Sequence, residues 1–130
     1  MGLPLFLGHI PRFTRQEIDA ALEEDDREVL LFAGISSATH EADWKYTQDL
    51  CLRLYEHPNK TIRGNAVLAL TTVALYRGTL DREAVEPILL RALRDEELEV
   101  RLRAEDAIRE INTTLNWTIA KDKLPREESD

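Results

Sequence analysis

The sequence predicts an all-α protein of about six helices, arranged as three stacked helical hairpins. Three observations carry this. The chain matches itself 38 residues on without a gap: His57-Pro-Asn-Lys-Thr-Ile-Arg-Gly-Asn-Ala66 lies on Asp95-Glu-Glu-Leu-Glu-Val-Arg-Leu-Arg-Ala104. Ile62-Arg63 falls on Val100-Arg101, Ala66 on Ala104, Ala69 on Ala107 and Val73 on Ile111. A fixed period in this range marks stacked supersecondary units. Within the match, Ile62, Ala66, Ala69, Leu70 and Val73 recur with the spacing of one helix face. Turn and cap residues separate such stretches. At 130 residues, 43% hydrophobic and 32% charged, the chain makes one domain with a modest core.

Residues 1–13 contain Pro4, Gly8 and Pro11, which oppose a continuous helix. Leu5, Phe6, Leu7, Ile10 and Phe13 are expected to lie over the first hairpin as a cap. Thr14-Arg-Gln-Glu17 has the spacing of a capping box. It opens a helix over about 15–24 with Ile18, Ala21 and Leu22 on one face. Glu23-Glu-Asp-Asp26 ends it, and Asp26 caps a helix over about 27–39 that buries Val29, Leu30, Ala33 and Ser37. The second hairpin spans about 41–77. Tyr46, Leu50, Cys51, Leu54 and Tyr55 form the stripe of its first helix, and His57-Pro58-Asn59 makes the turn with Asn59 as cap. Gly78 suits the left-handed position after the second helix. The third hairpin spans about 81–116. Asp81 is expected to cap it, and Pro87 to start or kink its first helix. Its stripes are Val85, Ile88, Leu89, Ala92 and Leu93, then Val100, Ala104, Ala107, Ile108, Ile111 and Leu115. The first hairpin joins the series at a 33-residue offset, with Leu30 where the others carry arginine. The domain thus covers 14–116, and 117–130 is expected to be a charged, frayed tail.

The formal charge is −8. Nucleic-acid and anionic-membrane binding draw on Lys and Arg, so this balance argues against both and suits a basic partner. The lone Cys51 has no disulfide mate, which suits a reducing, cytoplasmic setting. Leu3-Pro-Leu-Phe-Leu7 is too short to span a membrane and lacks the build of a signal peptide.

Asp95 followed by Val100, Arg101, Ala104, Ala107 and Ile108 resembles the HEAT repeat, in the short form also called phycobilisome-lyase HEAT-like. Ile62, Arg63, Ala66, Ala69 and Leu70 carry the same pattern, with His57 replacing the aspartate. The resemblance covers about residues 14–116 and implies a short right-handed α-solenoid of three HEAT-like hairpins. It also implies that Arg63 and Arg101 tie one repeat to the next through an aspartate such as Asp95 or a backbone oxygen. Some proteins with such repeats are bilin lyases, iron-binding hydroxylases or DNA glycosylases. The hydroxylases need several His-Glu pairs on successive repeats, whereas His40-Glu41 occurs once here. The glycosylases need a basic groove, and this chain has the opposite sign.

Little else in the chain suggests chemistry. His9, His40 and His57 are scattered, and His40-Glu41-x-Asp43 suits a helix start better than a metal. Cys51 falls in an apolar stripe. Gly64 and Gly78 are isolated, so no glycine loop cradles a phosphate. No catalytic residue, metal or cofactor is expected.

Two surfaces are candidates for binding. Residues 17–28 hold seven acids against Arg27, a net of six negative charges, with Asp25, Asp26 and Glu28 as candidate contacts. In the third hairpin, acids and arginines alternate, and Glu99–Arg103 and Asp106–Arg109 are expected to pair. The second surface is the inner face of the second helices. Gly64, Leu68, Thr71 and Leu75 map onto Leu102, Asp106, Arg109 and Thr113, with Leu31 and Ile35 in the first hairpin. Thr72, Asp106, Arg109 and Glu110 border this strip. Either the leucines pack helix on helix, or they make a groove with an apolar centre and charged rim. Trp44, Tyr46 and Trp117 are candidate aromatic anchors.

The leading expectation is a non-catalytic protein-binding module. A small acidic stack looks like some bacterial immunity proteins, which neutralise a basic nuclease toxin. An adaptor that holds a helix or peptide in the groove is the alternative, and a bilin lyase-like role a third.

Overall fold

A computed structural model describes residues 10–122 and 124, and in it the described residues form six α-helices and no strand. These are α1 (Arg15–Glu24), α2 (Arg27–His40), α3 (Trp44–Leu54), α4 (Lys60–Arg77), α5 (Arg82–Ala92) and α6 (Leu98–Leu115). The all-α reading holds, and flanking side chains cap four of the six described helix starts. Thr14 and Glu17 close the capping box on α1. Asp26, Asp43 and Asn59 accept first-turn amides of α2, α3 and α4. Gly78 ends α4 at φ 70°.

Two expectations at helix ends need correction. Asp81 precedes α5, but its side chain makes no cap bond. Its amide instead donates to Gln48 Oε1 at 2.7 Å, which turns Asp81 toward α3. Pro87 does not start α5, which runs from Arg82 through it to Ala92. The helix therefore continues without a Pro87 amide bond.

Helices pack as consecutive pairs, α1 on α2, α3 on α4 and α5 on α6, with α4 lying between α2 and α6. Asn65 near the start of α4 donates to the Leu31 carbonyl near the start of α2. Arg77 at the end of α4 donates to the Glu41 carbonyl just past α2. These two bonds fix α2 and α4 as parallel. Thr61 on Glu99 sets α4 beside α6 in the same sense, at a 38-residue register.

The core is aliphatic. Ile18, Leu30, Ile35, Ile62, Leu70, Leu89, Ile108 and Ile111 are fully buried, with alanines between them. Small residues let the second helices approach. A Cβ on Gly34 would lie 3.2 Å from the Ala69 Cβ, so α2 and α4 nearly touch there.

Residues 10–13 and 117–120 fold onto the helices. The amide of Phe13 donates to the buried Ser36 hydroxyl at 3.1 Å, and Ile10 packs against the core. The rest of the expected N-terminal cap, residues 1–9, lies outside the described residues. The expected tail does not fray from 117. Ile119 is fully buried, and the Asn112 side chain holds both its amide and its carbonyl at 3.0 Å. Burying that apolar side chain, with its backbone satisfied, outweighs the charged composition around it. Residue 123 and residues 125–130 of the tail lie outside the described residues.

Candidate interaction surfaces

The first candidate surface is the acidic run at the α1–α2 junction. Glu23, Glu24, Asp25, Asp26 and Glu28 are all exposed, but they do different work. Asp25 takes the left-handed conformation that ends α1, at φ 53°. Its carboxylate meets His57 Nε2 at 2.6 Å and Arg27 at 3.4 Å. His57 Nδ1 accepts the Asn59 amide, so Nε2 carries the proton and donates to Asp25. That bond lowers the Asp25 pKa. Asp26 caps α2. Glu23, Glu24 and Glu28 make no side-chain bond among the described residues. They hold the outward negative charge, and Glu28 also sits favourably in the first turn of α2.

The strip expected along the inner face is broken into pieces. Ile35 is fully buried and belongs to the core, because α2 turns it inward. Leu31, Leu68 and Thr71 are half-buried. Thr72 is buried and its hydroxyl is spent on the Leu68 carbonyl, so it borders no groove. Leu75 and Leu102 are 51% and 50% exposed. In the 38-residue register, Leu102 stands beside Gly64, eleven residues before Leu75. At 1.5 Å per residue that is about 16 Å along the helices, too far for one apolar centre. Asp106 and Arg109 pair at 3.8 Å, and Glu110 is exposed. Glu99 pairs with Lys60 of α4 at 3.9 Å and not with Arg103, because α4 lies alongside. Of the aromatic candidates, Trp44 opens α3 half-buried, and Trp117 lies under the Arg82 guanidinium at 5.5 Å.

Residues expected between repeats form a buried polar knot. Arg63 grips Asp95 with two parallel bonds, Nε at 3.0 Å and Nη2 at 2.8 Å. Its Nη1 donates to the His57 and Pro58 carbonyls. Tyr55 and the Glu97 amide donate to the same carboxylate. These bonds, Arg63 first, push the Asp95 pKa down to about 2. Arg101 departs from expectation. It donates to the Asp95 carbonyl at 2.7 Å, inside its own pair of helices, and reaches no further repeat.

One feature was invisible in the sequence. An open cleft of about 220 Å³ lies between the start of α1, the end of α2 and Tyr46. Its cations are engaged: Arg15 bonds Glu41 at 3.0 Å and Asp43 at 3.2 Å and covers the Tyr46 ring at 4.1 Å. Arg12 approaches His40 at 3.4 Å. The acids of His40-Glu41-x-Asp43 are thereby used on an arginine from α1. Only the arginine-aromatic pairing of Arg15 and Tyr46 could have signalled it, and their separation of 31 positions hides it. Cys51 is fully buried and burial pushes its thiol up to about 12, which removes the thiolate at neutral pH.

No helix among the described residues is long and apolar enough to cross a membrane. Comparison of the chain with protein-family models, with curated proteins and with solved structures gives no match.

Proposed function

We propose that this chain is a stoichiometric, non-catalytic protein-binding module of the HEAT-like type, working in the cytoplasm. On this reading it captures a basic partner through the α1–α2 junction. The observation that carries the reading is the trio Glu23, Glu24 and Glu28, exposed beside Asp25 and Asp26 and without side-chain bonds among the described residues. A net charge of −8 adds long-range attraction, which speeds encounter with a cation and weakens in salt. The most specific form is an immunity protein that neutralises a basic nuclease toxin domain.

The reading requires that a flanking reading frame encode a basic polypeptide; that polypeptide is the probe, and the absence of such a frame would count against the reading. Replacing Glu23, Glu24 and Glu28 with lysine should weaken a 1:1 complex by at least about 100-fold, mostly through slower association. Asp25 and Asp26 are poorer probes, because their loss also disturbs the His57 bond and the α2 cap. The adaptor reading has one observation of its own, the exposure of Leu75 and Leu102. It predicts binding that the lysine triple variant leaves intact and that Leu75→Asp abolishes.

A further inference from the structure

The stack is closed along half of its last helix and open along the other half. Internal repetition shows what the open half lacks. On α4, the stripe Arg63, Val67, Leu70 and Ala74 is buried, on the side from which Arg63 reaches Asp95. Its counterparts 38 residues on are Arg101, Glu105, Ile108 and Asn112 of α6. Among the described residues no seventh helix follows. Residues 117–120 cover the C-terminal part, where Asn112 holds Ile119. Among the described residues nothing covers the N-terminal part. There Leu98 and Leu102 are 59% and 50% exposed, one turn apart on the same face. Arg101 uses one guanidinium nitrogen on the Asp95 carbonyl, and its remaining N–H groups have no acceptor among the described residues. Glu105, one turn along, has no cation among them.

We infer that this half-face of α6 binds a second copy of the chain across a two-fold axis. The face is complementary to itself. Arg101 and Glu105 lie one turn apart, so an antiparallel α6 from a second copy sets each arginine against the other copy's glutamate. Leu102 then lies near the axis and packs on its own mate, with Leu98 beside it. A two-fold contact satisfies both unpaired charges twice and ends growth at a dimer, as an isologous interface must. The opposite arrangement, head to tail, is disfavoured because Phe13 and Ile10 already cover the far side of α2. The inferred face is separate from the acidic α1–α2 junction and stands or falls without it.

Sedimentation equilibrium of the full chain at about 100 µM, in about 0.15 M salt, tests the inference. The chain mass is 14.9 kDa, and the expected species is the dimer of about twice that mass. Leu102→Glu should give a monomer with an unchanged helical circular dichroism spectrum, while Leu75→Glu should remain dimeric. Arg101→Glu and Glu105→Arg should each weaken association at least tenfold, and the double variant should restore it. A monomeric wild type would overturn the inference and leave the face to residues 125–130 or to a foreign partner. A dimer that survives Leu102→Glu, or a double variant no tighter than the singles, would overturn it too.

Discussion

The Asp95 carboxylate and the Arg63 guanidinium each make four hydrogen bonds in one polar knot. The Asp95 side chain is 6% exposed and receives Arg63, Tyr55 and the Glu97 amide. Removing one partner of such a pair strands the other charge, which costs about 3–5 kcal/mol. Asp95→Asn should therefore lower unfolding stability by an amount in that range, read by urea denaturation at neutral pH. The pH dependence follows from the depressed pKa. The folded value is about 2 and the ordinary value 3.8, so the stabilising contribution is complete above about pH 4. It is lost as pH falls from there toward 2 and amounts to about 2–3 kcal/mol. Wild type should lose this over that window, and Asp95→Asn should not. The Arg63–Asp95 tie was legible through the resemblance to HEAT repeats, which implies that such an arginine bonds an aspartate or a backbone oxygen between repeats. The tie between the first two pairs was not. Leu30 stands where the arginine would be, and the chain bridges Asp25 to His57 instead. A histidine in an aspartate's place gave no hint that it would be met by an acid from the preceding unit.

At the scale of helices, two glycines make opposite predictions. A Cβ on Gly64 would meet only the Arg103 Cγ at 3.6 Å, an ordinary contact. Gly64→Ala should raise stability by about 0.5–1 kcal/mol through helix propensity. Gly34 lies against Ala69 at 3.2 Å, with Cys51 and Leu54 close behind. Gly34→Val should cost about 1–3 kcal/mol by overpacking. Thermal melts of the two variants check both signs. Helix positions were readable in the sequence because caps and apolar spacing agree at most ends, as at Thr14, Asn59 and Gly78. Reading failed where a long-range partner claims a local residue. Gln48 takes the Asp81 amide, and Lys60 takes Glu99. Such claims depend on which helices become neighbours, and local spacing holds no record of that.

At the scale of the molecule, residues 10–13 and 117–120 cover part of the outer helix faces. Ile119→Ala should cost about 2–4 kcal/mol, because it empties a fully buried site that closes α6. Its composition reads as a tail, since one isoleucine among polar residues has no period. The candidate binding surface was legible only as charge. Sequence counts the acids at 17–28, and the structure sorts those with a structural task, Asp25 and Asp26, from Glu23, Glu24 and Glu28. The inner strip failed as one surface because half of it is spent on packing α2 and α4, as Ile35 and Thr72 show.

Capture of a basic protein by the α1–α2 junction is the central claim. Calorimetric titration with any basic polypeptide that the flanking reading frames encode tests it, at about 0.05 M and about 0.5 M salt. A 1:1 complex that weakens as salt rises is expected, with a loss of at least about 100-fold when Glu23, Glu24 and Glu28 become lysine. No heat of binding, or a complex indifferent to both salt and the three lysines, would contradict it.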